Sequence, residues 1–119
     1  MLWLVGTFGR SQFTHIGVLK GEQVTLYCFT YPSSVNNVHW RLNSDVIVQR
    51  SEVQENYTER FNFSCYHSDP TQPWYRLCKL TILDVQIEDS GEYSCYDFGP
   101  NPVWYSKVTV LCKLFASTL

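Results

Sequence analysis

Three widely separated residues constrain the fold of this chain more than any other feature. Cys28 is followed twelve residues later by Trp40, and Cys95 closes the stretch DSGEYSC, which begins at Asp89. This order of cysteine, tryptophan and cysteine is typical of a two-sheet β-sandwich, in which the indole packs on a disulfide that joins the sheets. Tyr93 lies two residues before Cys95, where a tyrosine-corner hydroxyl bonds back to the preceding backbone. The pattern therefore predicts an all-β, two-sheet sandwich.

Apolar residues alternate with polar ones in EQVTLYC, VHWRL, CKLTIL and SKVTVL, which gives each segment one buried face. Turn residues such as Gly21, Pro32 and Gly91 separate the segments. Short strands with a turn about every 8–12 residues favour an antiparallel Greek-key sandwich. We predict strands at 11–19, 22–30, 37–42, 45–50, 52–56, 60–65, 78–84, 91–97 and 104–111.

The size and charge of the chain limit its function classes. Its 119 residues suit a single domain over 1–119, with a core at about 12–111, an N-terminal extension at 1–11 and a tail at 112–119. We expect the extension to be an ordered strand, although a leader remnant is the alternative. A net charge of −2 disfavours a nucleic-acid partner. No apolar run reaches about 18 residues, so a membrane anchor would lie outside this sequence.

The four alternating segments and DSGEYSC resemble the V-type domains of the immunoglobulin superfamily. The resemblance implies a Cys28–Cys95 disulfide and an ion pair between Asp89 and Arg60, and the 67-residue cysteine spacing leaves room for the two extra V-type strands. Two departures concern the pairing features of antigen-receptor domains. Val103 and Tyr105 stand where a Phe-Gly-x-Gly bulge would have glycines, and Asn43 replaces a glutamine. A germline-encoded receptor or co-receptor is therefore favoured over a rearranged chain.

Three cysteines remain. Cys65 and Cys78 flank an inserted segment whose ends would lie side by side, so we predict a second disulfide; a metal site with His67 is the weaker alternative because it lacks a fourth ligand. Cys112 is the odd cysteine, for which an interchain bridge, a free thiol and an intrachain pairing stay open. Together with the glycosylation sequons at Asn56 and Asn62, the cysteines favour an extracellular, cell-surface or secreted protein.

We expect no enzyme and no cofactor, because no recognisable nucleophile, phosphate loop or metal motif occurs in the sequence. The expected binding surface is the GFCC′ face, formed by predicted strands 91–97, 104–111, 37–42 and 45–50, together with the loop that follows residue 97. An ordinary solvated sheet face, with Phe98 and Trp104 tucked inward, is the alternative. The residues that we expect on this surface are His39, Arg41, Asn43, Tyr96, Phe98, Trp104, Tyr105 and Lys107.

The resemblance implies the recognition ectodomain of a cell-surface immune receptor or co-receptor. Such a domain would bind a protein ligand or a related V-type domain, and we expect a homodimer. The alternatives are a homophilic adhesion module and a soluble, pathogen-encoded decoy of a host receptor. A membrane span in the parent gene would favour a receptor over a decoy.

Overall fold

The computed structural model describes residues 13–67, 71, 74–97 and 105–115. This part of the chain contains nine strands and three short 3-10 helices, at Pro32–Ser34, Glu55–Tyr57 and Ile87–Asp89. The strands are β1 (Phe13–Leu19), β2 (Val24–Thr30), β3 (Val38–Leu42), β4 (Asp45–Gln49), β5 (Glu52–Val53), β6 (Phe61–Tyr66), β7 (Arg76–Ile82), β8 (Gly91–Asp97) and β9 (Tyr105–Lys113).

The strands form two sheets, which confirms the predicted sandwich. One sheet has the order β1-β9-β8-β3-β4-β5 and the other has the order β2-β7-β6. The two strands β4 and β5 extend the β9-β8-β3 sheet, which is the V-type arrangement. The sheets are antiparallel as predicted except at one edge, where β1 runs parallel to β9. The chain turns at Lys20–Gly21 and enters the other sheet, so β1 does not pair with β2 as a hairpin.

The core lies between the inner faces of the two sheets. Trp40 and Tyr93 are fully buried there, beside the cysteines of β2 and β8. In β2 and β7, alternate side chains such as Leu26 and Leu80 point inward and their neighbours are half-buried. Burying a side chain of leucine size contributes about 1.5–3 kcal/mol, so this alternation selects the strand register.

Several strand ends differ from the predicted bounds. β7 begins at Arg76, two residues before the predicted start, and β9 ends at Lys113, two residues after the predicted end. β5 stops at Val53, where a 3-10 turn replaces the rest of the predicted strand. β7 begins earlier because its ladder with β2 continues to Arg76, and β9 ends later because its ladder with β1 continues to Lys113.

Candidate recognition surface

Asp89 organises the base of β8. Its carboxylate is buried and accepts hydrogen bonds from the Arg60 guanidinium, with Nη2 to Oδ1 at 2.9 Å, and from the Gln86 amide at 2.7 Å. The Tyr93 hydroxyl donates to the Asp89 carbonyl oxygen at 2.6 Å. Burial raises the pKa of Tyr93, so the phenol stays protonated and able to donate. The predicted ion pair and tyrosine corner are therefore confirmed.

The four paired cysteines lie close together. Cys78 stands opposite Cys65 in the β6–β7 ladder and opposite Cys28 in the β2–β7 ladder. Cys65 is bonded to Cys78, and Cys28 is bonded across the sandwich to Cys95, which confirms both predicted pairs. The second bridge lies inside the ladder rather than at the ends of the insertion, because Tyr66 and Leu77 pair beyond it. Both sulfurs of the alternative metal site are therefore already bonded.

Cys112 is a free, half-buried cysteine within β9. It was predicted to follow the last strand, but it is paired with Val18 and packs against the core. Its amide donates a hydrogen bond to the Ser90 hydroxyl at 2.9 Å. An interchain bridge at this position remains a prediction.

The outward side of β3, β4, β8 and β9 forms the GFCC′ face. The ladder places Arg41 opposite Ser94, and Ser94 opposite Lys107, so three predicted strands contribute to one row. The Arg41 guanidinium carbon lies 5.5 Å from the centroid of the Tyr96 ring, and Arg41 is exposed. The structure thus brings Arg41, Tyr96 and Lys107 together on one surface.

His39 differs from its predicted state. We expected it to be open to solvent, but it is only 5% exposed. Its ring stacks on Tyr96, with centroids 5.5 Å apart and planes at 13°. Burial lowers the pKa of His39 below its usual value of 6.5, and the positive charges of Arg41 and Arg50 lower it further. His39 is therefore neutral at pH 7 and supports Tyr96 more than it offers a contact of its own.

Asn43 was also predicted to face outward from the third strand; it is exposed, but it lies in the turn after β3. The strand ends at Leu42, and Asn43 occupies the following turn with a φ of 55°. Its side-chain oxygen accepts a hydrogen bond from the Glu92 amide at 3.0 Å, and its own amide donates to the Glu92 carbonyl at 2.7 Å. Gly91 has a φ of 149°, which residues other than glycine rarely adopt, and a Cβ there would lie 2.8 Å from the Asn43 side-chain nitrogen. Asn43 thus joins the turn to β8 through two hydrogen bonds.

The turn between β4 and β5 was missed from the sequence. Arg50 and Ser51 both have positive φ, 51° and 61°, in a position where Asn-Gly is the usual signal. Ser51 holds this turn against β3. Its hydroxyl accepts from the Val38 amide at 3.1 Å and donates to the Val35 carbonyl, while its amide donates to the Val38 carbonyl at 2.9 Å. Arg50 is therefore presented beside the start of β3 and next to His39.

The remaining predicted contact residues belong to the loop before β9. Phe98 and Trp104 lie outside the described residues, and so does the side chain of Tyr105, whose backbone pairs with Tyr96. Of the sequon asparagines, Asn56 is exposed on the β5–β6 connection and Asn62 is exposed on β6. Neither lies on β3, β4, β8 or β9, the strands of the GFCC′ face.

Comparison with known proteins settles the family. A family model of the immunoglobulin domain matches residues 14–101, which is more than half of the chain. This chain belongs to the immunoglobulin domain family. Its fold is also similar to the second Ig domain of the mouse polymeric immunoglobulin receptor, with a TM-score of 0.67, 16% identity, and 89% of this chain and 99% of that chain covered.

A second similar structure is an Ig domain from the ZIG-8–RIG-5 IG1–IG1 heterodimer. The TM-score is 0.61 at 18% identity, and the match covers 84% of this chain and 83% of that one. No curated protein matches the sequence. At these identities the structural matches establish the fold of the immunoglobulin domain, whose disulfides fit an extracellular setting.

The immunoglobulin domain has a second aromatic region, on the outward side of β2, β7 and β6. Phe29, Leu77 and Tyr66 share one register row. The Phe29 ring packs edge-on against Tyr75 with centroids 5.1 Å apart, and the Lys79 ammonium lies 5.4 Å from the Tyr66 centroid. Trp74, beside this region, is 60% exposed. Tyr75 thereby connects the segment before β7 to the outward side of β2.

Within the described ranges, no three His, Cys, Asp or Glu side chains form a group suited to a metal ion. In the same part of the chain, no helix has the length and apolar content needed to cross a bilayer.

Proposed function

We propose that this immunoglobulin domain is a non-catalytic recognition ectodomain of a cell-surface immune receptor or co-receptor. It binds a protein partner through the GFCC′ face and the adjoining loop at 98–104. The observation that carries the proposal is the composition of this face. It presents the exposed Arg41, the Tyr96 ring and Leu111, which is 54% exposed, while both sequons lie elsewhere. Arginine, aromatic and apolar side chains grouped in this way are typical of binding hot spots.

The glycans that we expect at Asn56 and Asn62 support this choice of surface. A sugar on Asn62 would stand on the outward side of β6, because Asn62 and Ser64 are both exposed there. It would obstruct partners on the three-stranded sheet and leave the GFCC′ face open. The partner class that we favour is another immunoglobulin domain, as in the ZIG-8–RIG-5 heterodimer.

A matched pair of substitutions tests the proposal. Thr109 is half-buried on the GFCC′ face and Thr81 is half-buried on the outward side of β7. Fluorescent tetramers of the wild type, Thr109→Arg and Thr81→Arg domains would be applied to a cell library that displays single ectodomains. We expect binding to at least one ectodomain, lost with Thr109→Arg and retained with Thr81→Arg. Loss with Thr81→Arg alone would place the interface on the other sheet and refute the proposal.

A homophilic adhesion role is the alternative, and self-association is its direct test. Sedimentation of the wild-type domain over a range of concentrations separates the two roles. Dimers that Thr109→Arg dissociates would favour adhesion or homodimerisation through the same face.

A further inference from the structure

Arg41 is held in place without being neutralised. Its guanidinium lies over the Tyr96 ring, and the His39 ring stacks on the same tyrosine. In the described part of the chain, Arg41 makes no ion pair and no hydrogen bond through its side chain. A stacked guanidinium keeps its N–H edge available, and that edge matches a carboxylate in two-point geometry.

Arg50 lies in an unfavourable turn beside the start of β3, close enough to His39 to affect its charge. A left-handed conformation costs a non-glycine residue about 1–2 kcal/mol, and both central residues of this turn adopt it. The hydrogen bonds of Ser51 to Val38 and Val35 hold the turn against the start of β3. Like Arg41, Arg50 forms no ion pair within the described residues. We call His39, Arg41, Arg50 and Tyr96 the arginine patch.

The charge of the arginine patch opposes that of the whole chain. Burial and the two arginines keep His39 neutral, so the patch carries the two guanidinium charges. The chain as a whole carries −2. Asp45, Glu52 and Glu92 also lie on this sheet, but none of them forms an ion pair with the patch in the described ranges. A basic patch on an acidic domain has a complementary partner in an acidic surface.

The same charge disfavours a second copy of the chain. A two-fold symmetric contact centred on the patch would place the arginines of one copy against those of the other. Like charges across an interface oppose association.

We infer that the arginine patch receives the carboxylates of an acidic surface on a different protein, so that the GFCC′ face pairs heterophilically. This inference rests on the proposed function, because it specifies the partner of the same face. It replaces the homodimer expected from the sequence with a partner that carries Asp or Glu opposite Arg41 and Arg50.

A phage-displayed library of random peptides, selected on the folded domain, provides the probe. The test variant is Arg41→Gln/Arg50→Gln. The matched control is Lys20→Gln/Lys79→Gln, which removes two positive charges from the β1–β2 turn and the outward side of β7. Circular dichroism and urea midpoints establish that both variants fold.

We expect the selected peptides to be enriched in Asp and Glu and to bind the arginine variant about tenfold or more weakly. The lysine variant should bind them as the wild type does, and wild-type binding should weaken as salt is raised. If acidic peptides bind the arginine variant and the lysine variant equally weakly, the inference is overturned, because the net charge of the domain alone would then explain binding. A wild-type homodimer that the arginine variant dissociates would also overturn it.

The outcome separates this inference from the proposed function. Peptides that lack acidic residues but lose binding to Thr109→Arg would refute the acidic partner and leave the GFCC′ face as the binding surface. Peptides that bind all of these variants equally would refute both.

Discussion

Replacing Ser51 by alanine removes the side-chain ties that hold the β4–β5 turn against β3. The Val38 amide then loses its hydroxyl acceptor at 3.1 Å, in a residue that is fully buried. A buried donor left unsatisfied costs about 1–3 kcal/mol, and the lost bond to the Val35 carbonyl adds about 1 kcal/mol. We therefore expect Ser51→Ala to lower the free energy of unfolding by about 2–4 kcal/mol.

Urea denaturation, followed by tryptophan fluorescence with the disulfides intact, measures this loss. With a slope of about 2 kcal/mol/M, the midpoint should fall by about 1–2 M. Ser51→Gly is the matched variant, because it removes the same bonds but adopts a φ of 61° without steric cost. It should be about 1 kcal/mol more stable than the alanine variant, after the greater freedom of glycine in the unfolded chain is included.

Two results would contradict the proposed role of Ser51 in stabilising the β4–β5 turn. One is a Ser51→Ala midpoint equal to that of the wild type, which would mean that water or a local shift satisfies the Val38 amide. The other is a glycine variant less stable than the alanine variant, which would mean that the positive φ carries no cost.

Three further predictions concern other contacts. The pKa of His39 in the folded state lies below 6.5, so the unfolded chain takes up a proton first as the pH falls, and the free energy of unfolding should decrease below about pH 6.5. Urea midpoints measured between about pH 7.5 and 5.5 should show this decrease, and His39→Gln should make it smaller. An equal decrease in the variant would contradict the lowered pKa of His39. Asp89→Ala should lower the free energy of unfolding, measured by calorimetry, by about 2–4 kcal/mol, because it removes the hydrogen-bond acceptor of Arg60 and of the Gln86 amide. A decrease below about 1 kcal/mol would show that the ion pair contributes little to stability. When the protein is secreted from animal cells, Asn56→Gln and Asn62→Gln should each lower its apparent mass on a gel by one glycan. Ser64→Thr preserves the second sequon and should leave the apparent mass unchanged. Equal mobility of the wild type and Asn62→Gln would mean that Asn62 is unmodified.

The core of the fold could be predicted from the sequence because its residue types occur in a fixed order and each is needed for packing. Cys28, Trp40 and Cys95 pack in one place only if their strands face each other across a sandwich. Asp89 and Tyr93 lie four residues apart, so their bond depends on a single turn. Alternation then fixed which side of each strand faces the core.

The details of the recognition surface could not be predicted because they depend on contacts between distant segments. Alternation places His39 on the outward side, but its burial comes from stacking on Tyr96, which is remote in sequence. The turn at Arg50 contains no glycine or asparagine, and its conformation depends on the bonds of Ser51 to the start of β3. The role of Asn43 likewise depends on Glu92, which lies 49 residues away.

The parallel pairing of β1 with β9 has a mechanical consequence. Because the two strands run in the same direction, a pull applied between the chain before β1 and the chain after β9 slides one strand along the other. All the hydrogen bonds of the pair then bear the load together instead of opening one at a time. The bridge between Cys28 and Cys95, which are 67 residues apart in sequence, also keeps the chain between them from extending. The domain would therefore resist a pull along this strand pair until the whole β1–β9 ladder shears at once.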